Sequence, residues 1–526
     1  MARRYRLAAA LTAAGVLAFT LAVTALDNVR PHVRDAFRQH EEAVQLDDLP
    51  RGERGEAAST AIDPESFASH LPVVAVDTGG VEVPGRVIKR PELEAMGDDA
   101  PPVVPRTDVT YATIARDGRS TVPARVEVFC GEGSEAANRL SDAPVLSLQA
   151  EMRVRGYSSR IFDKKSYALG FTEADRVTEI DADVLGMGAD DNWVLQGPFL
   201  DKTLVRNYVA YEMAGQIMPY TPDARFCELF LNGAYQGVYL FMESVKYGQD
   251  RVDLRASDPR YAQTSYIVKR DWVDCTSTRT LTDFFAVSGI AEADTALELI
   301  YPTEATLTEA QRAWIVSDID AIEKSLYSYD YDVPGYGIFD RLDVDSFVDY
   351  LLMSEFTLNS DAGSYSTFFY KDARGRLAVG PVWDFNNAFN NYMDRDLSQS
   401  GFLTAEKPLF SMLYRDGDFC ERMIVRWREL RTTIWTDERI CELIDDAVAY
   451  LGPAAERNYE VWGYSFDPAA LSHDARLAPD ERNPRTYEEA VEQLKSAALD
   501  RAGWLDRNIE HIRMYSHESA VKQYNH

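Results

Sequence analysis

The chain has 526 residues, a formal net charge of −30, 46% hydrophobic and 11% aromatic residues; this excludes a largely disordered polypeptide and allows one large bilobal unit or about two to three domains. So acidic a surface repels a phosphate backbone over most of its extent and excludes nucleic acid as a bulk partner. The histidines (His32, His40, His70, His473, His511, His517, His526) leave residues 71–472 without any, and Cys130, Cys227, Cys275, Cys420 and Cys441 form no CxxC pair, so carboxylates carry whatever chemistry that region has.

In chain order, Arg3, Arg4 and Arg6 precede an apolar run at 7–26. Its length fits a bilayer-spanning helix better than the ~7–15 residue core of a cleaved signal peptide, the alternative. Residues 1–26 therefore read as a signal anchor at the cell membrane, with the bulk of the chain outside, or secreted if that segment is cleaved. Residues 27–68 are charged and poor in large apolar residues, a juxtamembrane linker with no core of its own. Strand-like runs follow at 71–77, 111–115 and 124–129, with a Pro-rich acidic loop at 92–106. Alternation makes 164–171 a strand with Lys165, Tyr167, Leu169 and Phe171 on one face. Asp201 suits the N-cap of a helix reaching Ala214, and Asn232-Gly233 predicts a hairpin joining 226–231 to 236–242. After a strand at 266–270 the pattern turns helical, at 307–326, 344–358, 409–435, 439–451 and 487–515. The fold class is α+β, with a β-rich part at 69–305 and a mainly helical part at 306–520.

The segment 359–386 interrupts that helical part. Runs at 367–370 and 377–383 are rich in aromatic and β-branched residues, and the polar stretch between them carries Gly375, a β-hairpin pattern. A hairpin brings its open ends together. Asp361 precedes the first arm and Asp384 ends the second, so two carboxylates far apart in sequence are expected to meet.

Several blocks together resemble a known family. Arg155-Gly156-Tyr157-Ser158-Ser159 with Lys164-Lys165-Ser166-Tyr167 comes first. Asn192-Trp193-Val194-Leu195 with Asp201-Lys202 and Arg206-Asn207 follows, then Glu228-Leu229-Phe230-Leu231-Asn232-Gly233-Ala234-Tyr235-Gln236-Gly237-Val238-Tyr239 and Trp383-Asp384-Phe385-Asn386. Over about residues 69–515 these resemble, in order, the CotH family of spore-coat-type atypical protein kinases. The resemblance implies a kinase-like two-lobed fold. It also implies phosphoryl transfer from ATP, with Mg2+ or Mn2+, to Ser/Thr hydroxyls of a surface or envelope protein.

Such chemistry needs cations on the phosphates, carboxylates for the metal and a base near the acceptor hydroxyl. Under the resemblance Lys165, with Lys164 as its rival, and Arg155 and Arg206 contact the nucleotide, although Arg206 also suits a structural ion pair. Asp361 is the catalytic base and Asp384 the metal ligand, with Ser366 and Asn386 as further ligands. Ser366 stands five positions after Asp361, where kinases usually carry a metal-binding Asn. Two other classes stay open: a non-catalytic surface assembly module on the same scaffold, and, ranked last, a glycan hydrolase using the carboxylate pair, in which Lys164-Lys165 has no role.

Overall fold

The structure, a computed structural model, describes residues 39–41, 62–131, 137–271, 279–281, 296–328, 330–391, 400–471 and 482–517. Alternating apolar residues build seven strands: β1 (Val73–Asp77), β2 (Val122–Phe129), β3 (Leu146–Val154), β4 (Tyr167–Thr172), β5 (Asn192–Gln196), β6 (Ala224–Leu231) and β7 (Ala234–Glu243). They close into a barrel in the order β1-β6-β7-β5-β4-β3-β2, which leaves no open edge. The pairing of β1 with β6 is parallel and the others are antiparallel. The β6–β7 hairpin turns at Asn232 (φ 51°) and Gly233 (φ 76°), the two positive φ values of the turn that Asn-Gly favours.

β7 is buried on both faces. Tyr239 and Phe241 point into the barrel with Leu169, Phe171, Trp193 and Leu195. Val238, Leu240 and Met242 point the other way, into a core shared with the helices. Such a strand loses the polar alternation of a half-exposed one. A small sheet, Val87–Lys89, Thr110–Thr113 and Val103–Pro105, is also present.

A second sheet holds β8 (Tyr266–Arg270), β9 (Thr280–Leu281), β10 (Leu297–Tyr301), β11 (Thr367–Lys371) and β12 (Ala378–Val379), ordered β9-β10-β8-β11-β12. Besides a short helix at Arg90–Met96 beside the small sheet, the described α-helices are α1 (Arg206–Gly215), α2 (Glu309–Tyr327), α3 (Val344–Thr357), α4 (Pro408–Leu413), α5 (Gly417–Thr433), α6 (Asp437–Leu451), α7 (Pro453–Trp462) and α8 (Tyr487–Asn508). One apolar core runs from Leu71 through α1 and the second sheet to Ile512, across the expected boundary at 305/306. The chain is thus α+β, with the barrel and the second sheet joined to the helices by shared packing.

The helix expected at 409–435 is two helices. Asp416 accepts a hydrogen bond from the Phe419 N–H at 2.7 Å, an N-cap that starts a new helix inside an unbroken apolar pattern. Asp201 does not cap α1 in the usual way. It folds the preceding turn, accepting from the N–H groups of Thr203 (3.0 Å) and Arg206 (2.8 Å).

The expectation that 27–68 takes no part in a core is corrected. Gln39 and His40 are 2% and 5% exposed, and Phe67 is 1% exposed. The Gln39 amide donates to the Phe226 carbonyl (3.2 Å) and accepts from its N–H (2.7 Å). Phe226 lies on the end of β6 that extends past β1, so Gln39 satisfies main-chain groups that no neighbouring strand reaches on that side. The apolar run at 7–26 lies outside the described residues; among those described, no helix is long and apolar enough to cross a membrane. Cys130, Cys227, Cys420 and Cys441 are free thiols.

Candidate active site

The site begins where α3 stops. Asp343 caps the start of α3 by accepting from the Ser346 N–H, and Leu358 ends it in the left-handed conformation (φ 52°). That reversal satisfies terminal carbonyls, with the Asn359 N–H donating to the Ser354 carbonyl at 3.0 Å. It throws 359–363 into a tight loop, in which the Asp361 carbonyl accepts from Ser364 and Tyr365, each at 2.8 Å. The chain then enters β11, turns, and returns through β12, with Phe369 opposite Val379. Asp384 follows, held at φ 63°.

Helix α1 fixes that return. Asn207 accepts from the Phe385 N–H at 2.6 Å and donates to Asn386 Oδ1 at 2.7 Å. One turn on, the Tyr211 hydroxyl accepts from the Asp384 N–H at 3.3 Å. From β5, Gln196 Nε2 donates to the same Asn386 oxygen at 2.9 Å. Asn386 in turn donates to Asp384 Oδ1. Three elements therefore orient one carboxylate.

The Asp384 charge acts on Asp361 across the open end of the hairpin. Burial pushes the Asp361 carboxyl up to about 6, and the Asp384 charge adds to this, while Lys407 opposes it. Asp384 is also raised, first by burial and then by Asp271, against the pull of Arg155, Asn386 and Lys269. Both residues are mostly, not fully, shielded from solvent. Two carboxylates competing for one poorly solvated place are characteristic of functional sites.

The basic groups are distributed around them. The Arg155 guanidinium lies 5.2 Å over the Trp383 ring, next to Asp384. Lys269, on β8 opposite Phe368, pairs with Asp271 at 3.1 Å and Glu298 at 3.2 Å. Lys407 donates to the Ser360 carbonyl at 2.6 Å and Ser364 Oγ at 3.2 Å. Ser366 is partly exposed at φ 49°.

Lys165 lies elsewhere than expected. The strand starts at Tyr167, and the Lys165 ammonium donates to the carbonyls of Arg160 (3.0 Å) and Phe162. Burial pushes it down to about 8. Lys164 is 2% exposed and donates to the Val238 carbonyl and Asn458 Oδ1, both at 2.6 Å. Arg206 is paired with Asp201 at 2.6 Å, both side chains nearly inaccessible. Glu228 is engaged by Arg457 and Glu243 by Arg251, each at 2.6 Å.

Among the described residues no group of three or more His, Cys, Asp or Glu is gathered for a metal. Asp361 and Asp384 nonetheless offer oxygen donors of the kind a hard cation takes, and burial, the first cause of the rise in each, leaves both carboxylates poorly solvated. Asn386 fits less directly, since its oxygen already accepts from Asn207 and Gln196. A buried oxygen of Gln196 beside it has no hydrogen-bond partner among the described residues.

Residues 152–505 match the family model described as CotH kinase protein, a span that includes Arg155, Asp361 and Asp384. This chain belongs to the CotH family. A curated relative, the inner spore coat protein H of Bacillus subtilis (strain 168), is 24% identical over 246 residues, covering 45% of this chain and 58% of the relative. The chain thus spans less than two thirds of that CotH relative's length.

Tyr211, Lys269, Asp271 and Lys407 joined the site unannounced by the sequence. Tyr211 had a signal, lying four residues after Asn207 on one helix face. The others arrive through strand pairing and long-range packing.

Proposed function

We propose that this CotH-family chain is an atypical protein kinase on a kinase-like bilobal scaffold, transferring the γ-phosphoryl group of ATP to Ser/Thr hydroxyls of a surface or envelope protein. The observation that carries the reading is the electrostatic coupling of Asp361 to Asp384 at the ends of one hairpin, with Arg155 and Lys269 acting on Asp384. The spore-coat name of the Bacillus subtilis relative supports an acceptor of the coat or envelope class.

The acceptor oxygen attacks the γ-phosphorus, the bond from that phosphorus to the β–γ bridging oxygen breaks, and ADP departs. Asp361 takes the hydroxyl proton. A carboxyl titrating near 6 is largely ionised at neutral pH and basic enough to receive it. Arg155, held on Trp383 and engaged by no carboxylate hydrogen bond among the described residues, offers its fork of donors to phosphate oxygens. Asp384 is the residue that would hold Mg2+ or Mn2+, with Ser366 and Asn386 as further candidates, and the charge of that ion, when bound, would neutralise the phosphate oxygens. Asn386, Asn207 and Tyr211 keep Asp384 aimed.

One observation favours a second reading, a non-catalytic assembly module. Lys164 and Lys165 both donate to groups of the protein itself, so the phosphate-contacting lysine of a conventional kinase has no counterpart in either. The deciding experiment incubates the full chain with γ-labelled ATP, Mg2+ or Mn2+ and a Ser/Thr-rich acceptor, beside Asp361→Ala and Asp384→Ala. Label transfer by the wild type and loss in both variants is the expected result. No transfer, with no nucleotide-dependent rise in melting temperature, refutes the kinase reading and leaves the assembly module.

A further inference from the structure

Several buried arginines of this protein are neutralised in pairs. Arg225 lies 2.5 Å from Asp223, Arg251 2.6 Å from Glu243, Arg457 2.6 Å from Glu228 and Arg501 2.8 Å from Glu355. Four arginines beside the candidate site differ. Arg106, Arg153, Arg155 and Arg160 have no carboxylate partner among the described residues, in a chain of net charge −30.

Main-chain carbonyls of the turn after β3 hold two of them. Arg106 follows the small sheet's strand Val103–Pro105, donates to the Tyr157 carbonyl at 3.3 Å and lies 4.4 Å over the Tyr157 ring. Arg160 Nε donates to the Gly156 carbonyl at 2.5 Å. Gly156 sits at φ +100°, where an added Cβ would come within 2.0 Å of Ser159 Oγ, so the tight turn that gathers these groups needs glycine. A carbonyl can satisfy an N–H without cancelling its charge. The cations therefore repel one another: burial and then the charges of Arg106, Arg153 and Arg155 push Arg160 down to about 10.

The cluster has two sides. Arg155 faces Trp383 and the Asp384 carboxylate. Arg153 is exposed, and Tyr157, under Arg106, is 45% exposed. The outer side therefore presents a guanidinium and an aromatic ring to solvent, accessible to an extended polypeptide. Guanidinium forks match a phosphomonoester dianion with its three acceptor oxygens.

We propose that Arg106, Arg153 and Arg160 form a docking site for a phosphoserine or phosphothreonine already present on the protein acceptor, one step outward from the transfer site. This rests on the kinase reading for its place in the reaction. An acceptor modified once is then held by its first phosphate while a neighbouring hydroxyl reaches Asp361, so successive hydroxyls of one segment are modified in preference to fresh chains.

The test titrates the full chain, without nucleotide and with chelator, into a fluorescent Ser/Thr-rich peptide carrying one phosphoserine and into its unphosphorylated twin. The phosphorylated peptide binds more tightly, and its affinity falls as salt rises. The Arg106→Gln/Arg153→Gln variant melts like the wild type and keeps its ATP-dependent thermal shift. It binds the phosphopeptide about tenfold more weakly, the factor expected from losing a charge-assisted hydrogen bond. Equal affinity for the twin peptides, unchanged phosphopeptide binding by the variant, or equal loss of the ATP shift overturns the proposal. So does capture of the chain by phosphatidylserine vesicles with no phosphopeptide binding. A chain that binds the phosphopeptide but transfers no label refutes the kinase reading and leaves the docking site. One that transfers label without phosphate preference refutes the docking site alone.

Discussion

Replacing Asp361 with asparagine should make the protein more stable while abolishing transfer. The Asp361 carboxyl rises from 3.8 to about 6, because it is poorly solvated and faces Asp384. That is roughly two units at about 1.4 kcal/mol each, so ionising Asp361 costs the folded state at most about 3 kcal/mol at neutral pH. The residue keeps some exposure, so this is a ceiling. A raised acid favours the folded state fully below pH 3.8, and that advantage is lost as pH climbs through about 6. Asp361→Asn keeps the shape without the charge, so its stability gain over the wild type grows from ~1.5 kcal/mol at pH 5 to ~3 kcal/mol at pH 7. Urea unfolding at the two pH values, with chelator to exclude divalent cations, reads the difference. Adding Mg2+ then narrows the gap by stabilising the wild type more than the variant. A variant no more stable than the wild type at pH 7, or a gap that ignores pH, refutes the assignment of Asp361 as a strained, cation-seeking carboxylate.

Three further outcomes follow from the supports of the site. Asn207→Ala frees Phe385 N–H and Asn386 together; it should raise the metal concentration for half-maximal activity about 10–100-fold and cost about 1–3 kcal/mol in urea unfolding. Arg501→Met leaves Glu355, 1% exposed, as a buried anion and should destabilise by about 3–5 kcal/mol, with Glu355→Gln in the same chain restoring part of the loss. Gly237→Ala places a Cβ 2.4 Å from Asn458 Oδ1 at φ +89°, displacing the group that holds Lys164 and the Val238 N–H; lower melting temperature is the expected readout.

The hairpins were legible because their signals are local. Asn232-Gly233 and the polar turn before Ala378 specify their own geometry. The closing of the barrel was not, since β1 pairs in parallel with a strand some 150 residues later, and no local pattern encodes that partner. Helix α7 was missed because Gly452-Pro453 reads as a break, whereas Pro453 is at the start of the helix, where a missing N–H costs nothing. The same limit applies to the site. Asp361 and Asp384 follow from one hairpin, while Lys269 and Asp271 depend on β8 lying beside β11. Alternation put Lys165 on a strand face, but the strand begins two residues later. Gly197, whose Cβ would meet the Lys165 carbonyl at 2.6 Å, donates its N–H to Ser166 Oγ at 3.0 Å and holds that stretch against a neighbouring loop.

Left-handed backbone concentrates in the same segment. Of nine non-glycine residues with positive φ among the described ones, five, Leu358, Ser366, Asp384, Phe389 and Asn390, fall within residues 358–390. Each such conformation costs on the order of 1–3 kcal/mol and persists only where the surroundings impose it. Here the surroundings do impose it. Glu355, on the last turn of α3, accepts from the N–H groups of Leu403 (2.9 Å) and Thr404 (2.6 Å) and from Arg501 (2.8 Å), which anchors the start of the loop. Asn207 and Tyr211 anchor its end. A hairpin clamped at both ends cannot relax by moving its carboxylates apart, so the repulsion between Asp361 and Asp384 is retained in the folded protein. Protonation of Asp361, whose carboxyl is pushed up to about 6, relieves it at low pH, and positive charge arriving near the pair would relieve it at neutral pH.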